Sequence, residues 1–261
     1  MKAKFLFLMI SVFVSCLAFG QVDKQVVDIQ TRAGVTQRMV LLTPKEPKAS
    51  VILFAGGHGG LKIFQNGSFG WGEGNFLVRT SQMFADQGLL VAVIDAPSDR
   101  QSSPFLSGFR QTPEHVQDIQ ATIAWLRAKS KVPVWLIGTS RGTQSVAYIG
   151  TKLHGPDGPD GLVLTSTILA DKKSRAVPEM ALEDIHVPVL VVHHEQDGCN
   201  LCSFAAIPGL MTKLGSQHKT ALLTFKGGND RGDPCEAMAY HGFNGLESDV
   251  VVQTAAWILA N

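Results

Sequence analysis

Charge is scarce in this sequence: Asp, Glu, Lys and Arg make up 17% of its 261 residues, where about a quarter is usual. Neither sign dominates, with 23 basic against 22 acidic side chains and a formal charge of +1. No run of Lys and Arg stands out, so the footprint of a protein that neutralises nucleic-acid phosphates is missing. Aromatic residues are few, at 8%, and cysteine occurs four times. There is no internal repeat, no low-complexity linker and, past the first twenty positions, no long apolar run. These gaps exclude a solenoid, a disordered tether and a membrane span in the remainder of the chain. What the chain does have is apolar residues, at 45%. That is enough for one sizeable core or two small ones, and it excludes wholesale disorder.

The first twenty residues, MKAKFLFLMISVFVSCLAFG, carry Lys2 and Lys4, then an apolar stretch from Phe5 to Val14, then small residues at Ala18 and Gly20. This is the pattern of a secretory signal peptide over 1–20, with one folded domain over 21–261. The apolar stretch is short for a membrane anchor, which needs about 20 residues. A third reading places a lipidated cysteine at Cys16, after Phe13-Val14-Ser15. Removal of 1–20 leaves 21 basic against 22 acidic side chains, a formal charge of −1, and an exported protein, periplasmic or secreted.

Two partly alternating stretches, Gln25–Thr31 and Thr36–Thr43, with Ala33-Gly34 between them, read as an antiparallel hairpin. Short apolar runs bounded by turn residues follow at Ser50–Phe54, Leu89–Ile94, Val132–Ile137, Gly161–Leu164, Val187–Val192 and Thr220–Phe225. Such runs suit strands buried on both faces. Helical patterns lie between them at Phe76–Gln87, Pro113–Lys129, Arg141–Leu153 and Glu247–Leu259. Thr112 is placed to cap the second of these, with Pro113 at its first position. The order predicts an α/β domain: a mostly parallel twisted sheet with helices on both faces. Gly59–Asn75, rich in glycine and containing Trp71, is long for a simple connection.

Gly138-Thr139-Ser140-Arg141-Gly142 fits G-x-S-x-G between a strand and a helical pattern. There the small residues permit a sharp turn that projects the serine. A serine hydroxyl is a poor nucleophile at neutral pH and needs a base within hydrogen-bond reach. Of eight histidines, His241 is best placed, in a loop before the final helix; His58, His193 and His194 also stand at strand ends. A carboxylate must fix the histidine's tautomer and stabilise its charged form. Asp197 is the first choice and Glu195 the second, both in the turn after Val187–Val192.

Ser140, Asp197 and His241 follow the chain order of the α/β-hydrolase triad, and the sequence resembles that superfamily over most of residues 24–261. Within it the chain looks like a compact esterase-like member, because only Ile168–Ile185 separates two late strands and leaves no room for a large lid. The resemblance implies acyl transfer on a small-molecule carboxylic ester through an acyl-enzyme, with no metal and no organic cofactor. It implies an oxyanion hole from the backbone N–H of Arg141 and of Gly57, although Ala55 stands where the family carries a His. A serine peptidase and a non-catalytic binding protein on the same scaffold remain as alternatives. The Arg141 side chain suits either a helix-surface salt bridge or an anionic substrate group. If the triad assembles, the loops around Cys199 and Cys235 must approach. In an oxidising compartment these two are expected to pair, with Cys202 as the other candidate partner. A thioredoxin-like role for Cys199-x-x-Cys202 would want the motif at the start of an early helix.

Overall fold

A computed structural model describes residues 22–215 and 219–261 of the chain. The leader reading of residues 1–20, with its Cys16 alternative, lies outside them. The strands are β1 (Asp23–Arg32), β2 (Val35–Thr43), β3 (Ala49–Phe54), β4 (Leu89–Ile94), β5 (Val134–Thr139), β6 (Gly161–Thr165), β7 (Val189–His194) and β8 (Thr220–Phe225). The helices are α1 (Phe76–Arg79), α2 (Ser81–Asp86), α3 (Pro113–Ser130), α4 (Gly142–Gly150), α5 (Ile207–Leu214) and α6 (Glu247–Leu259). All eight strands join one sheet in the order β1-β2-β4-β3-β5-β6-β7-β8. The hairpin and the β2–β4 pair are antiparallel; every later pair is parallel.

Alternation along the central strands sets the two layers. Ile52 and Phe54 of β3 face one core, with Ile119, Ile123 and Leu126 of α3, Val146 of α4 and Leu210 of α5. Val51 and Leu53 face the other, with Phe76 of α1, Phe84 of α2 and Val250, Ala255 and Ile258 of α6. A period of two in the strands meets a period near 3.6 in the helices, so each helix offers the sheet one apolar stripe. Each fully buried aliphatic side chain contributes about 1.5–3 kcal/mol; Val250→Asp would set a carboxylate into that second core.

Besides shifts of up to three residues at the ends of β5, β7 and α4, two helices depart from the sequence reading. The single helix expected over Phe76–Gln87 breaks at Thr80, whose buried Oγ1 donates to the Phe76 carbonyl at 2.6 Å and competes with the helix ladder. Helix α5 was hidden by Pro208 and Gly209, but the proline sits in its first turn, where the missing N–H has no helical partner to lose. Thr112 caps α3 as expected, accepting from the His115 N–H at 3.3 Å.

Candidate active site

Ser140 stands between β5 and α4 with φ +51°, a left-handed backbone at a residue that is not glycine. Such a conformation costs on the order of 1–3 kcal/mol and persists where its surroundings enforce it. Here the Ser140 N–H donates to the Thr165 carbonyl at 3.0 Å, and the Ser140 carbonyl accepts from the Thr143 N–H at 2.9 Å. The flanking glycines are there because the chain crosses itself closely. A Cβ on Gly138 would lie 2.6 Å from the Gly142 carbonyl carbon, and one on Gly142 would collide with the Phe54 carbonyl oxygen.

The turn after β7 delivers Asp197, and a single helical turn at Tyr240–Gly242 delivers His241. His241 Nδ1 is 2.9 Å from Asp197 Oδ2, which assigns the ring proton to Nδ1. Asp197 Oδ1 accepts from the Cys199 N–H at 2.9 Å. His193, fully buried, brings Nε2 to 2.7 Å from the Cys202 carbonyl and 3.7 Å from Asp197 Oδ2. Burial holds the His193 pKa below the usual histidine value, against the pull of Asp197. The His241 carbonyl accepts from Ser166 Oγ at 2.6 Å, and Arg79, paired with Glu247 at 2.9 Å, donates to the Gly242 carbonyl at 2.6 Å. Those bonds fix the histidine's backbone. His241 Nε2 is buried without a hydrogen-bond partner among the described residues. His241 and Ser140 border one cavity of about 360 Å³, and His241 Nε2 is not hydrogen-bonded to Ser140; bonds of this kind often tighten only when substrate is bound.

Gly56 and Gly57 form another wall of that cavity. The ideal Cβ position of Gly56 lies 3.0 Å from Ser140 Cβ, and Gly57 has φ +57° under Trp71. Among the described residues neither the Gly57 nor the Arg141 N–H donates to a backbone carbonyl. The loop behind them is held by buried Asp95, whose carboxylate accepts from the N–H groups of Leu61 at 2.7 Å and Ile63 at 2.8 Å. Gly59–Asn75 is therefore an anchored wall, and it ends in a residue that sequence reasoning missed. Asn75 caps α1 with its Oδ1, which accepts from the Leu77 N–H at 3.2 Å. That bond leaves its Nδ2 at the Gly56 side of the cavity, 3.3 Å from the ideal Cβ position. An Asn just before an apolar helical start was the signal available.

The other candidates are occupied elsewhere. Glu195 pairs with Lys226 Nζ at 2.7 Å and accepts from Thr224 Oγ1 at 3.0 Å, away from His241. The bond from Lys226 lowers its pKa. His194 stacks on Tyr240 and brings Nε2 to 3.0 Å from the Gly227 carbonyl. His58 lies between Trp71 and Phe105, ring centroids 3.8 and 4.4 Å away. Burial, then Arg110 and Lys62, lower its pKa. The Arg141 side chain takes the salt-bridge option, with Asp171 Oδ2 at 2.7 Å. Cys199 and Cys235 form a disulfide, and Cys202 is free and buried. Cys199, Cys202 and His241 bring their donor atoms within 4.8 Å of one another. The Cys199 sulfur is bound in the disulfide, however, and burial pushes the Cys202 thiol well above its usual pKa, so this set does not suit a divalent cation.

Comparison with family models gives no match, and comparison with curated proteins gives none. Solved structures do match. An esterase from Pyrococcus furiosus shares 12% identity at a TM-score of 0.64, covering 91% of each chain. A dienelactone hydrolase from Anabaena variabilis shares 13% at 0.61, covering 92% of this chain and 98% of its own. An α/β serine hydrolase without a lid, from Xanthomonas campestris, shares 14% at 0.53, covering 90% and 95%. The fold is that of the α/β-hydrolases.

Proposed function

We propose that the chain is a serine hydrolase that cleaves a small-molecule carboxylic ester through an acyl-enzyme. The observation that carries this reading is the 2.9 Å Asp197–His241 contact beside a left-handed Ser140 on one cavity. In the proposed cycle Ser140 Oγ attacks the ester carbonyl while His241 Nε2 takes its proton. Asp197 holds the tautomer and stabilises the imidazolium. The N–H groups of Arg141 and Gly57 receive the oxyanion. His241 then returns the proton to the leaving alkoxide, and water hydrolyses the acyl-enzyme by the same route. Every step uses side chains and backbone groups of this chain, with no metal or organic cofactor.

The same reading takes the protein as exported, after removal of residues 1–20, and as one domain over 21–261. The disulfide supports the compartment, and no described helix is long and apolar enough to cross a membrane. The test is labelling by a fluorophosphonate probe together with turnover of a series of esters and amides. Ser140→Ala should fold, lose labelling and lose turnover by roughly 10⁴-fold or more. Turnover retained in that variant would remove the assignment, amide-only turnover would favour a peptidase, and an unlabelled folded wild type would favour a binding protein.

A further inference from the structure

A second cavity, of about 540 Å³, adjoins the first, and Arg141 lines both. Its wall carries four cations, Arg110, Arg141, Lys173 and Arg175, and no carboxylate. Asp171 lies behind Arg141 with its side chain 2% exposed. Asp171 Oδ2 accepts from Arg141 Nη1 at 2.7 Å, Gln144 Nε2 at 3.1 Å and Ser174 Oγ at 2.7 Å. Burial opposes its charge, but those bonds and one from the Lys173 N–H hold its pKa below the carboxylate range. Asp171 thus balances Arg141. Among the described residues Arg110, Lys173 and Arg175 have no acidic partner, a local excess of three positive charges in a chain with almost no net charge.

Arg110 separates this arrangement from an ordinary solvated basic face. Its guanidinium is buried, the residue being 5% exposed, yet it meets only neutral acceptors. Nη1 donates to Ser145 Oγ at 3.0 Å, and Nη2 donates to the carbonyls of Ala55 at 3.0 Å and Gly57 at 3.3 Å. Burial, and then the nearby Arg141, lower its pKa to about 9. A buried cation without a counter-ion is costly to hold, and an anion in the cavity would offset that cost. The rim is fixed as well, because Gln111 and Gln144 both donate to the Arg175 carbonyl, at 2.8 and 3.0 Å. Guanidinium groups offer paired, coplanar donors that match a carboxylate.

We infer that this second cavity is a subsite for a carboxylate carried by the substrate, with Arg110 at its floor and Lys173 and Arg175 at its rim. The ester part of this inference rests on the proposed hydrolase reading; the anion part does not. Calorimetric titration of the folded protein with glutarate, glutaramide and inorganic phosphate tests the anion part. Glutarate should bind and glutaramide should not, and the exposed-residue double variant Lys173→Gln/Arg175→Gln should weaken glutarate by about tenfold or more. In parallel, kcat/KM is compared for the para-nitrophenyl monoester of glutarate and for para-nitrophenyl valerate, esters of equal acyl length. The wild type should prefer the charged ester, and the double variant should lose about tenfold or more of that preference. No glutarate binding, binding that the double variant leaves unchanged, or binding of phosphate without glutarate would overturn the subsite. Glutarate binding with neither ester cleaved would leave the subsite standing and sink the hydrolase reading.

Discussion

Neither carboxylate oxygen of Asp197 faces solvent: Oδ2 meets His241, Oδ1 meets the Cys199 N–H, and the side chain has no exposed surface. Glu195, two residues earlier, reaches Lys226 on the outside. Chain distance from the strand end does not separate the two acids; the direction of the turn does. Asp197→Asn would offer His241 an uncharged amide, which stabilises the imidazolium less and permits the wrong ring tautomer. In the proposed mechanism its kcat should fall on the order of 10³–10⁴-fold, whereas Glu195→Gln should stay within about twofold, since it removes only a surface ion pair. Steady-state rates of the two purified variants decide this, and a larger loss at Glu195 would transfer the role.

The strand ends were the most legible elements, because a strand covered on both faces leaves an uninterrupted apolar run that turn residues must close. Leu89–Ile94 and Thr220–Phe225 have the bounds the sequence implied, and Ser140 followed from strand, glycines and helix together. Contacts between distant segments were legible only where the order Ser140, Asp197, His241 implied them. Lys172-Lys173-Ser174-Arg175 looks like any solvated connection until Arg110, more than sixty positions earlier, is folded against the same cavity. Asn75 likewise gains its place only when its loop is tied to Asp95 at the end of β4. The Cys199–Cys235 bridge, expected once the triad loops were brought together, joins the connection after β7 to the one after β8 across 36 positions. A closure of that length is worth about 3–4 kcal/mol in the chain-entropy account. The double variant Cys199→Ser/Cys235→Ser should lose a comparable amount in urea denaturation, and an unchanged midpoint would show that the bridge does not staple these loops.

Over the whole molecule, stability should fall on the acid side of neutrality for a reason lodged between α3 and α4. His115 is 1% exposed, brings Nε2 to 3.0 Å from Ser145 Oγ, and lies among Phe54, Phe109 and Arg110. Burial first, then Arg110 and Arg32, lower its pKa to about 3. In the unfolded chain it titrates near ~6.5, so between about pH 6.5 and 3 the unfolded state binds a proton that the folded state refuses. Stability therefore falls with falling pH, by up to about 1.4 kcal/mol per pH unit from this one group. Urea denaturation at about pH 7, 5.5 and 4.5 should give a steeper loss for the wild type than for His115→Gln, and equal slopes would contradict the assignment. The four tryptophans differ in their surroundings, with Trp125 of α3 packed against the core. Trp135 is sealed inside against Trp257, while Trp71 alone of the four lines the cavity of Ser140, its ring tilted at 33° against His58. An imidazole quenches indole emission far more strongly when protonated, and the pKa of His58 is lowered. Trp71 should therefore glow at neutral pH and dim in acid, so the intrinsic fluorescence of the unmodified protein carries a light signal from the mouth of the cavity.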